Sequence, residues 1–115
     1  MRIVADSRRR SCDDEAVTAY AISEVEMLDE AQAQRYRELA SASIARYGGR
    51  YLVRGANPRV PEGDWPTRQR VVVVEFPSME QLERWYDSAE YAEALAVRQT
   101  ALNRRLLFVN GVGAQ

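Results

Sequence analysis

The stretch "RVVVVEFPS", Arg70 to Ser78, holds the strongest strand pattern of the chain and decides the fold. Its four consecutive valines, Val71–Val74, favour a β-strand, and Pro77 and Ser78 then open a helix. A strand with one solvated face should alternate apolar and polar residues. The unbroken apolar run, which "LLFV" at Leu106–Val109 repeats, instead predicts a sheet covered on both faces, by helices on one side and a second copy of the chain on the other.

Upstream of this strand, "RYGGRYLVRG", Arg46–Gly55, connects a helical pattern to a strand pattern. A phosphate-binding loop runs from a strand into a helix and needs a lysine, whereas here a helix runs into a strand. We therefore interpret Gly48 and Gly49 as a helix stop and turn. The loop that follows, Ala56–Arg68, is long for a compact domain, and such loops often carry function.

The remaining segments complete a strand–helix–strand–strand–helix–strand order. Val17–Val25 reads as the first strand, and Asp29 caps a first helix whose apolar stripe includes Tyr36. A second helix begins after Ser78, breaks near Ser88 and resumes over Ala89–Ala101, and the last strand spans Arg104–Val112. This order predicts an α+β, ferredoxin-like βαββαβ fold with a four-stranded antiparallel sheet.

Composition limits the chemistry. The 115 residues fit one domain, residues 17–112, with a flexible leader at 1–16 that contains Cys12 and a short tail at 113–115. There is no histidine, and all sixteen basic residues are arginine. Histidine-dependent nucleophiles, zinc sites and lysine Schiff bases are therefore excluded, and we expect no metal and no cofactor. A net charge of −1, a single cysteine and no long apolar run predict a cytoplasmic protein that binds neither nucleic acid nor membrane.

Four motifs resemble a known family when they are taken in order. They are Tyr47–Arg50 (YGGR), Glu62–Trp65 (EGDW), Glu75–Ser78 (EFPS) and Trp85–Tyr91 (WYDSAEY). Together they make the chain, from about Val17 to Val112, similar to the bacterial family catalogued as domain of unknown function 1330. The resemblance implies a dimeric α/β barrel, in a superfamily that also holds cofactor-free monooxygenases and ligand-binding members. Many enzymes of that superfamily use a histidine, which this chain lacks.

Glu75 and Tyr86 are the candidate catalytic residues. A carboxylate at the end of a valine strand is costly unless it is paired. Counting back from a hairpin that closes at Gly55 and Arg70 places Arg50 opposite Glu75 and Arg54 opposite Val71. Two interpretations of Glu75 remain open: a structural ion pair with Arg50, or a base in a pocket.

The candidate ligand-binding residues combine aromatic rings with both signs of charge. They are Arg50, Arg54, Glu62, Trp65, Arg68, Tyr91 and Arg98. We expect them to surround a site between the sheet and the helices, beside the Ala56–Arg68 loop. The same loop composition also suits a dimer contact.

Two functions from different classes remain open. The first is a cofactor-independent enzyme, monooxygenase-like or isomerase- or cyclase-like, that acts on a small, flat, oxygenated molecule. The second is a non-catalytic module that binds a small ligand or a partner. A pocket holding Glu75 beside an arginine favours the enzyme, and a filled interior with every charge paired favours the module.

Overall fold

The computed structural model describes residues 17–66 and 68–113. The strands are β1 (Ala19–Met27), β2 (Arg50–Ala56), β3 (Arg70–Phe76) and β4 (Leu102–Asn110), and the helices are α1 (Glu30–Arg46), α2 (Met79–Tyr86) and α3 (Ala89–Ala101). All strand neighbours are antiparallel, in the order β2-β3-β1-β4. The ferredoxin-like prediction is confirmed, with the second helix broken into α2 and α3. The predicted leader with Cys12, and residues 114–115 of the predicted tail, lie outside the described residues.

The three predicted helix caps are confirmed. The side chains of Asp29, Ser78 and Ser88 each accept a hydrogen bond from the backbone amide three residues on, at 2.8 to 3.1 Å. Each such cap stabilises a helix start by about 1 kcal/mol. The strand bounds differ slightly from the prediction, because β1 and β4 pair over Ala19 to Met27 and both shift by two residues.

The glycine pair ends α1 as predicted, and each glycine has its own reason. Gly48 has φ 82°, a left-handed conformation that favours glycine after a helix. Gly49 has no room for a side chain, since a Cβ there would lie 2.7 Å from the ring of Phe76. The turn therefore brings the start of β2 directly against the core.

The sheet has two unlike faces. The face that packs against the helices, here the covered face, carries Ala19, Ala21, Val74 and Phe76, which are all buried. The opposite face, here the open face, has no helix on it among the described residues. Its central row consists of one apolar residue from each strand: Val53, Val73, Ile22 and Leu107.

The core lies between the covered face and the helices, and Trp85 lies at its centre. Trp85 is 2% exposed, packs against Phe76 and Tyr91, and donates its indole N–H to Ser43 Oγ at 2.9 Å. Because this polar atom of Trp85 has a partner, its burial costs little. The prediction that Trp85 is a core residue is confirmed.

Of the two residue pairings predicted between β2 and β3, one is confirmed and one is wrong. Arg50 lies opposite Glu75, as the hairpin count required. The placement of Arg54 opposite Val71 is wrong, because the pairing shifts between Tyr51 and Val53 and Arg54 lies opposite Val72. An extra residue in one strand reverses the face of every residue after it. The bulge therefore moves Arg54 from the open face to the covered face.

No helix within the described ranges combines the length and hydropathy that a membrane span needs. The predicted cytoplasmic location stays a prediction.

Candidate functional site

A cavity lies between the covered face of the sheet and α1. It has a volume of about 350 Å³ and a mostly apolar lining. Val72, Val74 and Leu106 contribute from the sheet, and Ala40 and Ile44 contribute from α1. The side chains of β1 and α1 that face each other here are small, so they leave this space unfilled. This cavity lies between the sheet and the helices, in the region where the sequence predicts a site.

Four arginines line this cavity, and they are its most unusual feature. They are Arg37 on α1, Arg54 on β2, Arg70 on β3 and Arg104 on β4. None of the described residues that line the cavity is an aspartate or a glutamate. The local charge is therefore positive, although the whole chain is close to neutral.

Each cavity arginine donates to a neutral acceptor. The acceptors are the Gln34 amide oxygen, the Ser41 hydroxyl, the Gly55 carbonyl and the Tyr36 hydroxyl, at 2.7 to 3.5 Å. The ion pairs of the described residues all involve other arginines, namely Arg46, Arg50, Arg84 and Arg105. Within that part of the chain, the cavity arginines have no counter-charge.

Arg104, Tyr36 and Tyr91 form a connected polar group at the β4 side of the cavity. Arg104 Nη1 donates to the Tyr36 hydroxyl at 2.7 Å, and that hydroxyl shares a 2.7 Å hydrogen bond with the Tyr91 hydroxyl. Burial, with Tyr91 beside it, raises the pKa of Tyr36 despite the opposing effect of Arg104. Tyr36 is therefore a neutral hydroxyl at ordinary pH, suited to hydrogen bonding and poorly suited to act as a base.

Arg104 keeps its charge in this setting. Burial opposes that charge, but Tyr36 and Tyr91 outweigh the effect of burial and the pKa of Arg104 is raised. A charged guanidinium next to a neutral phenol is an arrangement that stabilises an anionic oxygen.

A second polar group lies at the β2 side of the cavity. The Arg54 guanidinium lies 4.3 Å from the centre of the Tyr51 ring and donates to Ser41 Oγ. Arg70 reaches the carbonyl of Gly55, which has φ 77° at the second irregularity of β2. Glycine is favoured at such a bulge, and the bend presents its carbonyl to Arg70.

The structure brings two of the predicted site residues to this cavity. Arg54 lines it, and Tyr91 contacts its wall through the Tyr36 hydroxyl. Arg50 and Glu75 lie instead on the open face, joined by a 2.6 Å ion pair. They border a separate depression of about 190 Å³ near Phe76.

The other predicted residues lie outside the cavity lining. Tyr86 packs in an aromatic group with Trp85, Tyr91 and Phe108. Glu62, Trp65 and Arg68 belong to the loop between β2 and β3, and Arg98 lies half-buried on α3. The buried indole N–H of Trp65 has no acceptor among the described residues. The roles predicted for these residues stay predictions.

Sequence reasoning missed Tyr36, Arg70 and Arg104. The sequence predicts Tyr36 as part of an apolar stripe, and its position on α1 is compatible with that stripe as well as with the cavity lining. A signal for Arg104 was available, because Arg104 and Arg105 are adjacent in a strand and must point to opposite faces. One arginine therefore had to enter the covered side. Among the described residues, no three carboxylates or cysteines are grouped as a metal site would need.

Comparison with known proteins gives a family and a fold. Residues 18–112 match the family described as domain of unknown function (DUF1330), so the chain belongs to that family. The search of curated proteins gave no match.

Solved structures with similar folds share little sequence with this chain. A protein of unknown function from Rhodopseudomonas palustris has a TM-score of 0.68 and 20% identity, over 89% of this chain and 88% of that one. SnoaB, a cofactor-independent oxygenase from Streptomyces nogalater, has 0.61 and 11%, over 86% and 97%. A dimeric ferredoxin-like protein of unknown function from Bacteroides fragilis has 0.57 and 13%, over 82% and 96%. At these identities the likeness shows the fold alone.

Proposed function

We propose that this member of the DUF1330 family binds a small, flat, largely apolar molecule that carries an anionic oxygen, and that it does so as a homodimer. The observation that carries the proposal is the set of four cavity arginines without a carboxylate partner. A ligand anion would supply the counter-charge that the described part of the chain leaves out.

Volume and energetics fit such a ligand. A cavity of about 350 Å³ is at the small end of ligand sites, which suits one or two rings. Its apolar lining removes the ring from water, and each buried apolar Å² contributes about 25 cal/mol. A charged hydrogen bond adds roughly 1.5–3 kcal/mol, so an arginine contact would favour an anion over a neutral analogue.

Catalysis is the second candidate function, and the Arg104–Tyr36 contact favours it. Arg104 would favour the ionised form of a weak acid bound beside it, although burial opposes that form, as it does for Tyr36. To the extent that Arg104 prevails, the bound molecule would be held as an enolate or phenolate, the reactive form in many proton transfers and cofactor-independent oxidations. SnoaB, on the same fold, is such an oxygenase. The base predicted at Glu75 lies on the open face, and titration of Glu75 tests that role.

The open face supports the homodimer. Its central row is apolar from edge to edge, and Leu107 within that row is 54% exposed. Ion pairs flank the row, Arg50 with Glu75 on one side and Arg105 with Glu24 on the other. An apolar centre with a charged rim is the usual anatomy of a protein interface.

The experiment compares benzoate with benzamide, a neutral molecule of nearly the same shape, by protein-observed NMR. We expect benzoate to bind at least about tenfold more tightly and to shift the methyl signals of Val72, Val74 and Leu106. The methyl signals of Leu107 and Val109, on the open face, are the internal control. Equal binding of the two molecules, or shifts on the open face only, would contradict the proposal.

A further inference from the structure

The polar residues of the cavity form two clusters at opposite edges of the sheet. The first, the β2-edge cluster, consists of Arg54, Tyr51, Ser41 and Arg70. The second, the β4-edge cluster, consists of Arg104, Tyr36 and Tyr91. We propose, on the basis of the function above, that the ligand is a hydroxyaryl carboxylic acid, with its carboxylate at the β2-edge cluster and its hydroxyl at the β4-edge cluster.

Strand register fixes the separation of the two clusters. Arg54 pairs with Val72, Val72 with Ser23, and Ser23 with Leu106, so one row crosses all four strands. Strands are about 4.8 Å apart, which places the backbone of Arg54 about 14 Å from β4. The side chains keep this separation, because Arg54 donates to Ser41 and Arg104 to Tyr36, which lie about 7.5 Å apart along the axis of α1. A single carboxylate, whose oxygens are close together, is too small to engage both.

A second row gives the same result closer to the mouth of the β2–β3 hairpin. Arg70 and Arg104 both pair with Val25, one from each side. Their backbones are therefore about 10 Å apart, with one apolar residue between them. The Arg70 guanidinium reaches outward to the Gly55 carbonyl of β2 and that of Arg104 reaches Tyr36 on α1, which leaves room between them for a body the size of an aromatic ring.

The residues that line the cavity between the two clusters are apolar. Val25, Val72 and Val74 form the sheet side of the cavity, and Ala33 and Ala40 of α1 lie across from them. A ring between these surfaces would have apolar contacts on both faces, while its substituents would reach the charged edges. The cavity therefore matches a molecule with two polar ends and an apolar middle.

The two clusters differ in chemistry, which assigns the ends. Arg54 is exposed and, like Arg70, suits a carboxylate that is ionised at every ordinary pH. Arg104 is half-buried and adjoins the Tyr36 hydroxyl, a neutral group that can donate or accept. Such a pair suits an oxygen that exchanges a proton, as a phenol does.

The test measures the affinities of benzoate, 2-hydroxybenzoate and 4-hydroxybenzoate by calorimetry. The two hydroxybenzoates have the same composition and charge and differ in the distance between their polar groups. We expect 4-hydroxybenzoate to bind at least about tenfold more tightly than either of the others. Arg54→Gln should weaken benzoate and 4-hydroxybenzoate alike, whereas Arg104→Gln should weaken 4-hydroxybenzoate and leave benzoate within about threefold.

Three other outcomes would contradict the proposed ligand or its orientation. If 2-hydroxybenzoate binds as tightly as 4-hydroxybenzoate, or if both variants weaken all three acids equally, the cavity has one anion subsite and the inference is wrong. Sensitivity of benzoate to Arg104→Gln alone would overturn the assignment of the ends. In either case the proposed function stands, because benzoate still binds. No binding of any acid to the wild-type protein would overturn both. Tyr36→Phe serves as a second β4-edge variant if Arg104→Gln does not fold, and it should likewise weaken only 4-hydroxybenzoate.

Discussion

On the open face of the sheet, arginines lie next to glutamates, whereas on the covered face they have neutral partners. Arg50 pairs with Glu75 and Arg105 with Glu24, so both of these arginines have a counter-charge on the open face. Arg54 and Arg104, which come from the same two strands, line the cavity without a carboxylate. The same residue type therefore has two different surroundings on one sheet.

The difference separates assembly from binding. A surface with an apolar centre and arginines that are already paired can pack against a copy of itself without burying an unpaired guanidinium. The arginines of the covered side lack a carboxylate partner, and we propose that a ligand anion binds there. The bulge in β2 produces this division, because without it Arg54 would lie on the open face.

The largest expected effect is on assembly. Leu107→Glu places a carboxylate in the apolar central row of the open face, where the dimer would have to bury it without a partner. We expect the dimer to dissociate roughly 100-fold more readily. Light scattering should then give the 13.1 kDa mass of one chain instead of twice that value. Ala96→Glu, at an exposed position of α3, is the control and should remain dimeric. A wild-type protein that is monomeric at micromolar concentration would contradict the proposed homodimer through the open face.

A smaller effect is expected at alkaline pH on the covered side. The pKa of Tyr36 is raised in the folded state, so its stabilising effect is complete below the pKa of an unfolded tyrosine, about 10, and is lost as pH rises above that value. Tyr36 should therefore contribute a fall in the free energy of unfolding of up to about 1.4 kcal/mol per pH unit above pH 10.

Urea unfolding between pH 8 and pH 11 measures this slope. Tyr36→Phe should flatten this slope. Tyr20→Phe, the same change on the open face, is the control and should leave the part of the slope that Tyr36 contributes unchanged. An identical slope in the wild type and Tyr36→Phe would mean that the Tyr36 hydroxyl ionises freely.

The smallest effect is expected at the ion pair of the open face. The side chain of Arg50 is 72% exposed, so its pair with Glu75 is screened by water. Glu75→Gln should lower the free energy of unfolding by about 1 kcal/mol or less, as measured by chemical denaturation at neutral pH. A loss of several kcal/mol would show that the pair is buried in the assembled protein.

The fold could be predicted because its signals are local. The valine run, the three capping residues and the glycine pair each act within a few residues, and together they place the turns and helix starts. The pairing of Arg50 with Glu75 was also predicted, although the prediction starts from Gly55 opposite Arg70, whereas Ala56 pairs with Val71, and the two irregularities of β2 offset that difference at Arg50.

The position of the cavity between the sheet and the helices agrees with the sequence prediction, whereas most of its polar lining was not predicted. Arg54 changes face because of a bulge whose position depends on how two strands pair, although Gly55 inside a strand pattern is a hint of it. Tyr36 joins Arg104 from a position 68 residues away in the chain, and no local pattern announces that contact. The composition of the long loop predicts that its residues form the site. The cavity is instead lined by the ends of the strands on either side of that loop.

The most direct test of the central claim compares two double variants with the same change in charge. Arg54→Gln with Arg104→Gln removes one cavity arginine from β2 and one from β4, and Arg50→Gln with Arg105→Gln does the same on the open face. Calorimetry with benzoate should show at least about a tenfold loss of affinity in the first protein and a change within about twofold in the second. Equal losses in both, or a loss only in the open-face variant, would contradict the claim that the unpaired arginines of the covered face form the binding site.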